Sequence, residues 1–142
     1  MTDPNFSIRI ADWRRDRDRL ALVREQVFVR EQKVPLDMEW DGDDEQALHL
    51  LAEDAAGRPI GTARLLPTGH LGRMAVVSDW RGKGVGAALL RELLKLARER
   101  DYPPLFLNAQ TSAVGFYLKF GFVAEGAEFM DAGIPHRRMV PA

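Results

Sequence analysis

The sequence contains no cysteine, and this absence excludes several kinds of chemistry. Without thiols the chain cannot form disulfides, a cysteine nucleophile, a thiolate metal site or an iron–sulfur cluster. Histidine is scarce too, since only His49, His70 and His136 occur. None of them stands in an HExxH spacing, so we expect neither a zinc hydrolase nor a bound metal.

Long apolar runs and an excess of one charge are also missing. No stretch approaches the roughly 18 apolar residues of a membrane-spanning helix, so we expect no membrane partner. The formal net charge is −1, which gives no general affinity for nucleic acid. The N-terminal residues show no basic start followed by an apolar block, as a signal peptide would, and we therefore expect a cytoplasmic protein.

The residues that are present suit one domain spanning 1–142. Of the 142 residues, 46% are hydrophobic and 29% are charged, a balance typical of a folded domain with one core. Arginine supplies 16 of the 20 basic residues. Its planar guanidinium binds phosphate and carboxylate through paired hydrogen bonds. Codon bias is the simpler explanation of this arginine excess. The position of each arginine in the chain decides whether it is a candidate for binding an anion.

Hydrophobic periodicity predicts a mixed sheet of the α+β class. Strands alternate apolar and polar residues, whereas the strongest helix carries a leucine stripe at helical spacing. Three strands joined by tight turns precede a helix, a strand, a second helix and two more strands, which favours α+β. The expected order is β-α-β-β-β-α-β-α-β-β, with strands at 6–11, 47–53, 59–66, 70–77, 105–108, 122–129 and 136–140 and helices at 16–31, 85–100 and 111–119.

An acidic segment, 36–46, separates the first helix from the second strand. It holds six carboxylates around Trp40. Two interpretations stay open. The segment is a solvated loop, as such charge runs commonly are, or it presents carboxylates to a cationic substrate.

The most informative motif is a glycine-rich stretch between the fourth strand and the main helix. Glycines leave backbone N–H groups uncovered, and a helix N-terminus adds unpaired donors, which together suit a phosphate. A Walker A loop is excluded because Lys83 is followed by Gly84. A dinucleotide fingerprint matches formally but lacks an acid after the next strand, and a plain helix-start turn is a further alternative. The stretch reads Arg81-Gly82-Lys83-Gly84-Val85-Gly86.

The stretch 71–86 closely resembles the acyl-CoA-binding segment of GNAT acetyltransferases. That family's pattern (R/Q)-x-x-G-x-(G/A) is matched at Arg81, Gly84 and Gly86. The stretch 113–122, AVGFYLKFGF, is similar to the family's A-x-x-F-Y-x-K-x-G-F. The resemblance covers nearly the whole chain, and the outer segments resemble a subgroup of small single-domain bacterial members.

The resemblance implies a GNAT fold with splayed central strands and acetyl-CoA as co-substrate. In the family, the pantetheine arm pairs with the backbone of the fourth strand, and the pyrophosphate lies on amides of the glycine loop. Carried onto this chain, the cofactor-binding residues are Met74, Ala75, Val76, Arg81, Gly82, Lys83, Gly84, Val85, Gly86 and Asn108.

Catalytic roles are implied as well. Tyr117 matches the tyrosine near the coenzyme A sulfur, which acts as a general acid on the departing thiolate. Many members carry a glutamate on the fourth strand, but this sequence has no acid there, and the base is unassigned. His49 on the second strand is one candidate, with a structural role as its alternative. Glu31, Glu39 and Asp41 are candidates for binding or deprotonating the acceptor.

The expected function is therefore that of an N-acetyltransferase. Acetyl would pass from acetyl-CoA to a primary amine, on a small molecule or a peptide, by direct attack in a ternary complex. Two alternatives stay open: a non-catalytic acyl-CoA sensor of the same fold, and a dinucleotide-dependent oxidoreductase. A homodimer is compatible with the sequence, although nothing in it requires one.

Overall fold

The structure, a computed structural model, describes residues 5–142 apart from the side chains of Asp37 and Met38. Its strands and main helices follow the order predicted from the sequence, with small shifts at their boundaries. The strands are β1 (Phe6–Ala11), β2 (Leu48–Asp54), β3 (Pro59–Leu65), β4 (His70–Val76), β5 (Phe106–Gln110), β6 (Phe122–Asp131) and β7 (Ile134–Pro141). The helices are α1 (Trp13–Arg24), α2 (Leu36–Glu39), α3 (Val85–Glu99) and α4 (Val114–Leu118).

All seven strands form one mixed sheet in the order β1-β2-β3-β4-β5-β7-β6. Strands β1 to β4 are an antiparallel meander, β5 runs parallel to β4, and β7 lies antiparallel between β5 and β6. The parallel pair is possible because α3 supplies the crossover connection that a parallel pair requires. The α+β class predicted from the sequence is confirmed.

The main core lies between the sheet and α3. The leucine stripe of this helix is completely buried at Leu89, Leu90 and Leu93. The helix approaches the sheet closely at Gly61, where an added Cβ would stand 3.0 Å from the Val85 Cγ1. The packing of α3 therefore fixes its N-terminus against the end of β4.

The first helix begins earlier than predicted and ends in a different geometry. It starts at Trp13 because the Asp12 carboxylate caps it, accepting hydrogen bonds from the amides of Arg14 and Arg15. Its continuation, Glu25–Glu31, is a π-helix, a rare form that is frequent at functional sites.

The acidic segment is more ordered than a solvated loop. It contains α2 and a turn of 3₁₀-helix at Asp44–Gln46. Glu39 and Asp44 are buried, so the interpretation as a solvated loop is wrong for these two carboxylates, whereas Asp43 and Glu45 are exposed. Within residues 5–142, no helix has both the length and the apolar character that crossing a bilayer requires.

Candidate active site

A cleft opens in the sheet where β4 and β5 separate. Within the described residues the two strands pair at only two positions, His70 with Phe106 and Leu71 with Leu107. Beyond these pairs, β4 continues its ladder with β3 as far as Val76. The edge of β4 that faces β5 is therefore open over most of its length, which confirms the splayed strands expected from the resemblance.

Two connected cavities occupy this opening. The inner one, here called the slot, has a volume of about 230 Å³ and is lined by Gly72, Met74, Asn108 and Tyr117 among others. The outer cavity has a volume of about 290 Å³ and extends from the slot to the acidic segment. Both cavities are lined by Phe28, Gln32, His70, Arg73, Gln110 and His136.

The glycine loop meets the far end of the open β4 edge. Gly82 and Gly84 have φ values of 75° and 88°, in the left-handed region that glycine adopts without strain. Gly84 is the N-cap of α3, and no side chain caps this helix in the described chain. The first-turn amides and the positive end of the helix dipole therefore remain available to an anion. The Val85 side chain is buried in the core, so only the backbone of this residue is available to an anion.

The two basic side chains of this loop have other partners. The Arg81 guanidinium binds both carboxylate oxygens of Glu31, at 2.6 and 2.9 Å, and its Nε donates to the Val76 carbonyl at 2.9 Å. The ammonium of Lys83 lies 5.1 Å from the centre of the Trp80 ring. Backbone amides are thus the groups that this structure offers to a pyrophosphate.

Tyr117 reaches the slot from α4. Its hydroxyl lies 3.7 Å from the Met74 sulfur, beside the open edge of β4. Burial raises the pKa of Tyr117 to about 12, because a phenolate is poorly solvated there. The phenol therefore keeps its proton at neutral pH and can donate it to a group that becomes negative in the slot.

His49 lies elsewhere, and the structure does not bring it to the cleft. Its ring is buried, stacked on Trp13 at 5.1 Å between centroids, and its Nε2 is 2.8 Å from the Asp44 carbonyl oxygen. That carbonyl can only accept, so Nε2 donates. Desolvation lowers the pKa of His49. These contacts are those of a neutral structural side chain that joins β2 to the acidic segment.

The carboxylates of the acidic segment are bound by the protein's own arginines. Arg24 donates to Glu39 at 2.9 Å and to Asp44 at 2.7 Å. Arg64 binds both oxygens of Asp41, at 2.9 and 2.8 Å. Glu39 and Asp41 do line the outer cavity, but their charges are neutralised from within the protein.

Arg73 completes this arginine–carboxylate cluster. Its guanidinium lies 3.2 Å from Glu39 and 3.1 Å from Asp41. It occupies a bulge in β4, with a φ of 45°, where the pairing with β3 shifts register. The Thr62 hydroxyl donates to the Arg73 carbonyl at 3.1 Å. A bulge turns the side chain of its extra residue, and here it directs Arg73 toward the acidic segment.

Glu31, the third predicted acceptor residue, is not among the residues that line either cavity. Its partner is Arg81, which lowers the pKa of Glu31 through their hydrogen bonds. The pair joins the end of the π-helix to the glycine loop. No signal in the sequence indicated this contact, because the two residues lie in separate motifs.

The structure brings to the cleft residues that sequence reasoning did not place there, including two histidines and two glutamines. His70 and His136 both line the slot and the outer cavity. The Gln110 amide donates to the Gln32 side-chain oxygen at 2.7 Å, and this contact links β5 to the end of the π-helix. The one related sequence signal was negative: β4 carries no acid, and the sequence therefore left the base unassigned.

The comparisons with known proteins agree with this geometry. The model of the acetyltransferase (GNAT) domain matches residues 19–141. The chain belongs to the GNAT acetyltransferase family. It is 40% identical over 122 residues to an uncharacterized N-acetyltransferase, YjcF, of Bacillus subtilis, a match that covers 83% of this chain and 86% of that protein.

Solved GNAT structures share the whole fold. An acyl-CoA N-acyltransferase from Pseudomonas aeruginosa has a TM-score of 0.85 at 30% identity, over 96% of this chain and 99% of that one. Escherichia coli ElaA has the same TM-score at 26% identity and the same coverage. As a GNAT protein, this chain is an acyltransferase that uses acyl-CoA, and the dinucleotide-dependent oxidoreductase alternative is wrong.

Proposed function

We propose that this GNAT enzyme transfers acetyl from acetyl-CoA to a primary amine, which attacks the thioester directly in a ternary complex. The observation that carries the proposal is the slot, where the open edge of β4 lies beside a protonated tyrosine hydroxyl. The chain has no cysteine, so an acyl group cannot pass through a cysteine thioester.

The cofactor residues form a continuous track from the slot to the glycine loop. Met74, Ala75 and Val76 would offer backbone donors and acceptors to the amides of the pantetheine arm, as a neighbouring strand does. The loop amides at the N-terminus of α3 would hold the pyrophosphate. Asn108, which lines the slot from β5, would contact the pantetheine arm from the opposite side.

Tyr117 would act as the general acid. Cleavage of the thioester leaves a thiolate, and a proton donor beside the sulfur stabilises it as it forms. Its raised pKa keeps Tyr117 protonated at neutral pH.

The test is a thiol-release assay with acetyl-CoA and a panel of primary amines, using the wild type and Tyr117→Phe. We expect Tyr117→Phe to lower kcat by roughly 10²-fold or more, since general acid catalysis contributes about that much. The dissociation constant for acetyl-CoA should stay nearly the same, because the ring is retained.

Acetyl-CoA should also raise the melting temperature of the wild type, because a ligand that binds only the native state stabilises it. Stabilisation without turnover of any amine would indicate a non-catalytic acyl-CoA sensor instead. No stabilisation at high acetyl-CoA would overturn the proposed function altogether. Normal turnover by Tyr117→Phe would remove the role of the phenol and leave the function intact.

A further inference from the structure

His70 stands at the junction of the slot and the outer cavity. It is the first residue of β4 and pairs with Phe106 of β5, just before the two strands separate. Its ring is stacked on the Phe106 ring with centroids 4.7 Å apart and an angle of 17°. The stacking fixes the ring at the mouth of the opening, where it lines both cavities.

The ring nitrogens of His70 differ from those of the other histidines. His49 uses Nε2 on a carbonyl, and the His136 Nδ1 is 2.7 Å from the Ile134 carbonyl oxygen. The His70 carbonyl accepts a hydrogen bond from the Leu66 amide at 2.9 Å. Within residues 5–142, neither ring nitrogen of His70 has a hydrogen-bond partner, and the residue is only partly buried. One of its nitrogens is therefore free to accept a proton from a ligand.

His70 and Tyr117 approach the opening from opposite faces of the sheet. Leu71 belongs to the main core against α3, so its neighbour His70 points to the other face. The bulge at Arg73 shifts this alternation, and Met74 packs on the core side with Tyr117. An acyl group held in the opening would meet the phenol on one side and the imidazole on the other.

We propose that His70 is the general base that removes a proton from the amine acceptor as it enters from the outer cavity. The inference rests on the proposed function, and it assigns a catalytic residue that the motifs do not. Imidazole suits this task because its basicity lies near neutral pH.

His70 and Tyr117 together account for the protons that the reaction moves. His70 takes one proton from the acceptor ammonium and releases it to solvent. The amine nitrogen then forms the C–N bond, and the C–S bond breaks with its electron pair on sulfur. Tyr117 gives its proton to the sulfur, and the second proton lost by the nitrogen restores the phenol through solvent.

Burial, helped by nearby arginines, keeps His70 neutral at physiological pH. Burial is the main cause that lowers the pKa of His70 below its ordinary value of 6.5, and nearby arginines lower it further, while Asp41 opposes them. His136 and Asp131 line the same two cavities as His70. The charged groups that act on it from neighbouring elements are Arg64 of β3, Arg73 of β4, Asp41 after α2, and Arg138 of β7.

The first test compares His70→Gln with the wild type, using the amine that the thiol-release panel shows to react fastest. We expect kcat to fall by roughly 10²-fold or more, with little change in the dissociation constant for acetyl-CoA. In the wild type, kcat should decline with falling pH through a pKa below 6.5, and this limb should disappear in His70→Gln. NMR titration of the His70 ring in the free protein should give a matching pKa.

The second test supplies a base from the same face of the strand. Gly72 lies two residues from His70, its φ is not in the left-handed region, and an added Cβ would meet nothing within 4 Å. In a His70→Gln background, Gly72→Glu should restore part of kcat and move the acidic limb to lower pH. Such rescue is not expected if His70 only holds the strand pair together.

The outcomes separate this inference from the proposed function. Turnover that His70→Gln leaves unchanged, or an acidic limb removed by His136→Gln and not by His70→Gln, would overturn the role of His70 alone. Failure of every amine with the wild type would overturn the proposed function and the base with it.

Discussion

Arg24 is the side chain around which the acidic segment is assembled. It is 1% exposed, lies 4.9 Å from the centre of the Trp40 ring, and donates to Glu39 and Asp44. Arginine suits this place because its planar fork serves two carboxylates at once. The arginine excess of the sequence thus has a structural use inside the protein.

Replacing Arg24 tests how much the cluster stabilises the fold. Arg24→Met would leave Glu39 and Asp44 buried with fewer partners. We expect a loss of about 3–5 kcal/mol in the free energy of unfolding, as is usual when one partner of a buried ion pair is removed. Urea unfolding followed by tryptophan fluorescence measures it.

Arg14→Met is the matched control, since Arg14 is an exposed arginine on the same helix. It should change stability by less than about 0.5 kcal/mol. Equal losses in the two variants would show that the cluster adds nothing beyond general helix effects.

Single residues also show where sequence reasoning reached its limit. Tyr117 could be found from the sequence because it belongs to a local motif, and it does line the slot. The partners of Glu39 and Asp41 could not, because arginines on α1, β3 and β4 meet them only in the folded chain. A carboxylate in an acidic run looks the same in a sequence whether it is solvated or neutralised.

At the scale of elements, the π-helix and the β4 bulge had no sequence signature. Helical periodicity over 16–31 does not distinguish an α-helix from a π-helix, and the bulge occurs at an arginine, not at a glycine. Both irregular elements border the cleft. Their placement agrees with the tendency of such features to occur beside functional sites.

The contact between the π-helix and the glycine loop makes a testable prediction. Glu31 holds Arg81 through an exposed ion pair. Glu31→Gln releases the Arg81 guanidinium from this pair and removes a negative charge near the proposed pyrophosphate site. We expect acetyl-CoA to bind more tightly, by up to about fivefold, since exposed pairs are worth about 1 kcal/mol or less. Isothermal titration calorimetry at low and high salt measures the change.

Glu128→Gln provides the control, because Glu128 is an exposed acid on β6. It removes the same charge without touching the loop. Weaker binding by Glu31→Gln would contradict the prediction and show that the ion pair instead holds the loop in its binding conformation.

For the whole molecule, acid stability depends on ion pairs that join distant parts of the sheet and helices. Asp16 of α1 accepts two hydrogen bonds from Arg9 of β1, at 3.0 and 2.9 Å. These bonds hold the pKa of Asp16 at about 2, below its ordinary value of 3.8. Because the folded-state pKa is depressed, this stabilisation is present above pH 4 and is lost as the pH falls toward 2.

Asp16→Asn should therefore lower the free energy of unfolding at neutral pH by about 1–2 kcal/mol, and the difference from the wild type should shrink as the pH falls from about 4 through 2. Asp18→Asn removes a charge from the exposed face of the same helix and is the control. Urea titrations of both variants and the wild type at several pH values measure these differences in the free energy of unfolding. A deficit that stays constant down to pH 2 would mean that packing, and not the charge, is responsible.

The whole fold was the most predictable level. The order of strands and helices along the chain follows from alternation, tight turns and one strong amphipathic helix, and these are local signals. The position of the cleft followed from the glycine motif and the family resemblance. The proposed base, His70, could not be found from the sequence. No local pattern shows that this residue lies beside an opening created by the separation of β4 from β5.

The separation of β4 from β5 also divides the sheet into two halves. Two residue pairs join the half-sheet β1–β4 to the half-sheet β5–β7, while α3 packs mainly on the first half and α4 on the second. Few backbone hydrogen bonds cross this boundary, so a ligand that paired with both inner edges would supply contacts that the sheet lacks there. We therefore expect the two half-sheets to be held together more firmly while acyl-CoA is bound than after coenzyme A has left.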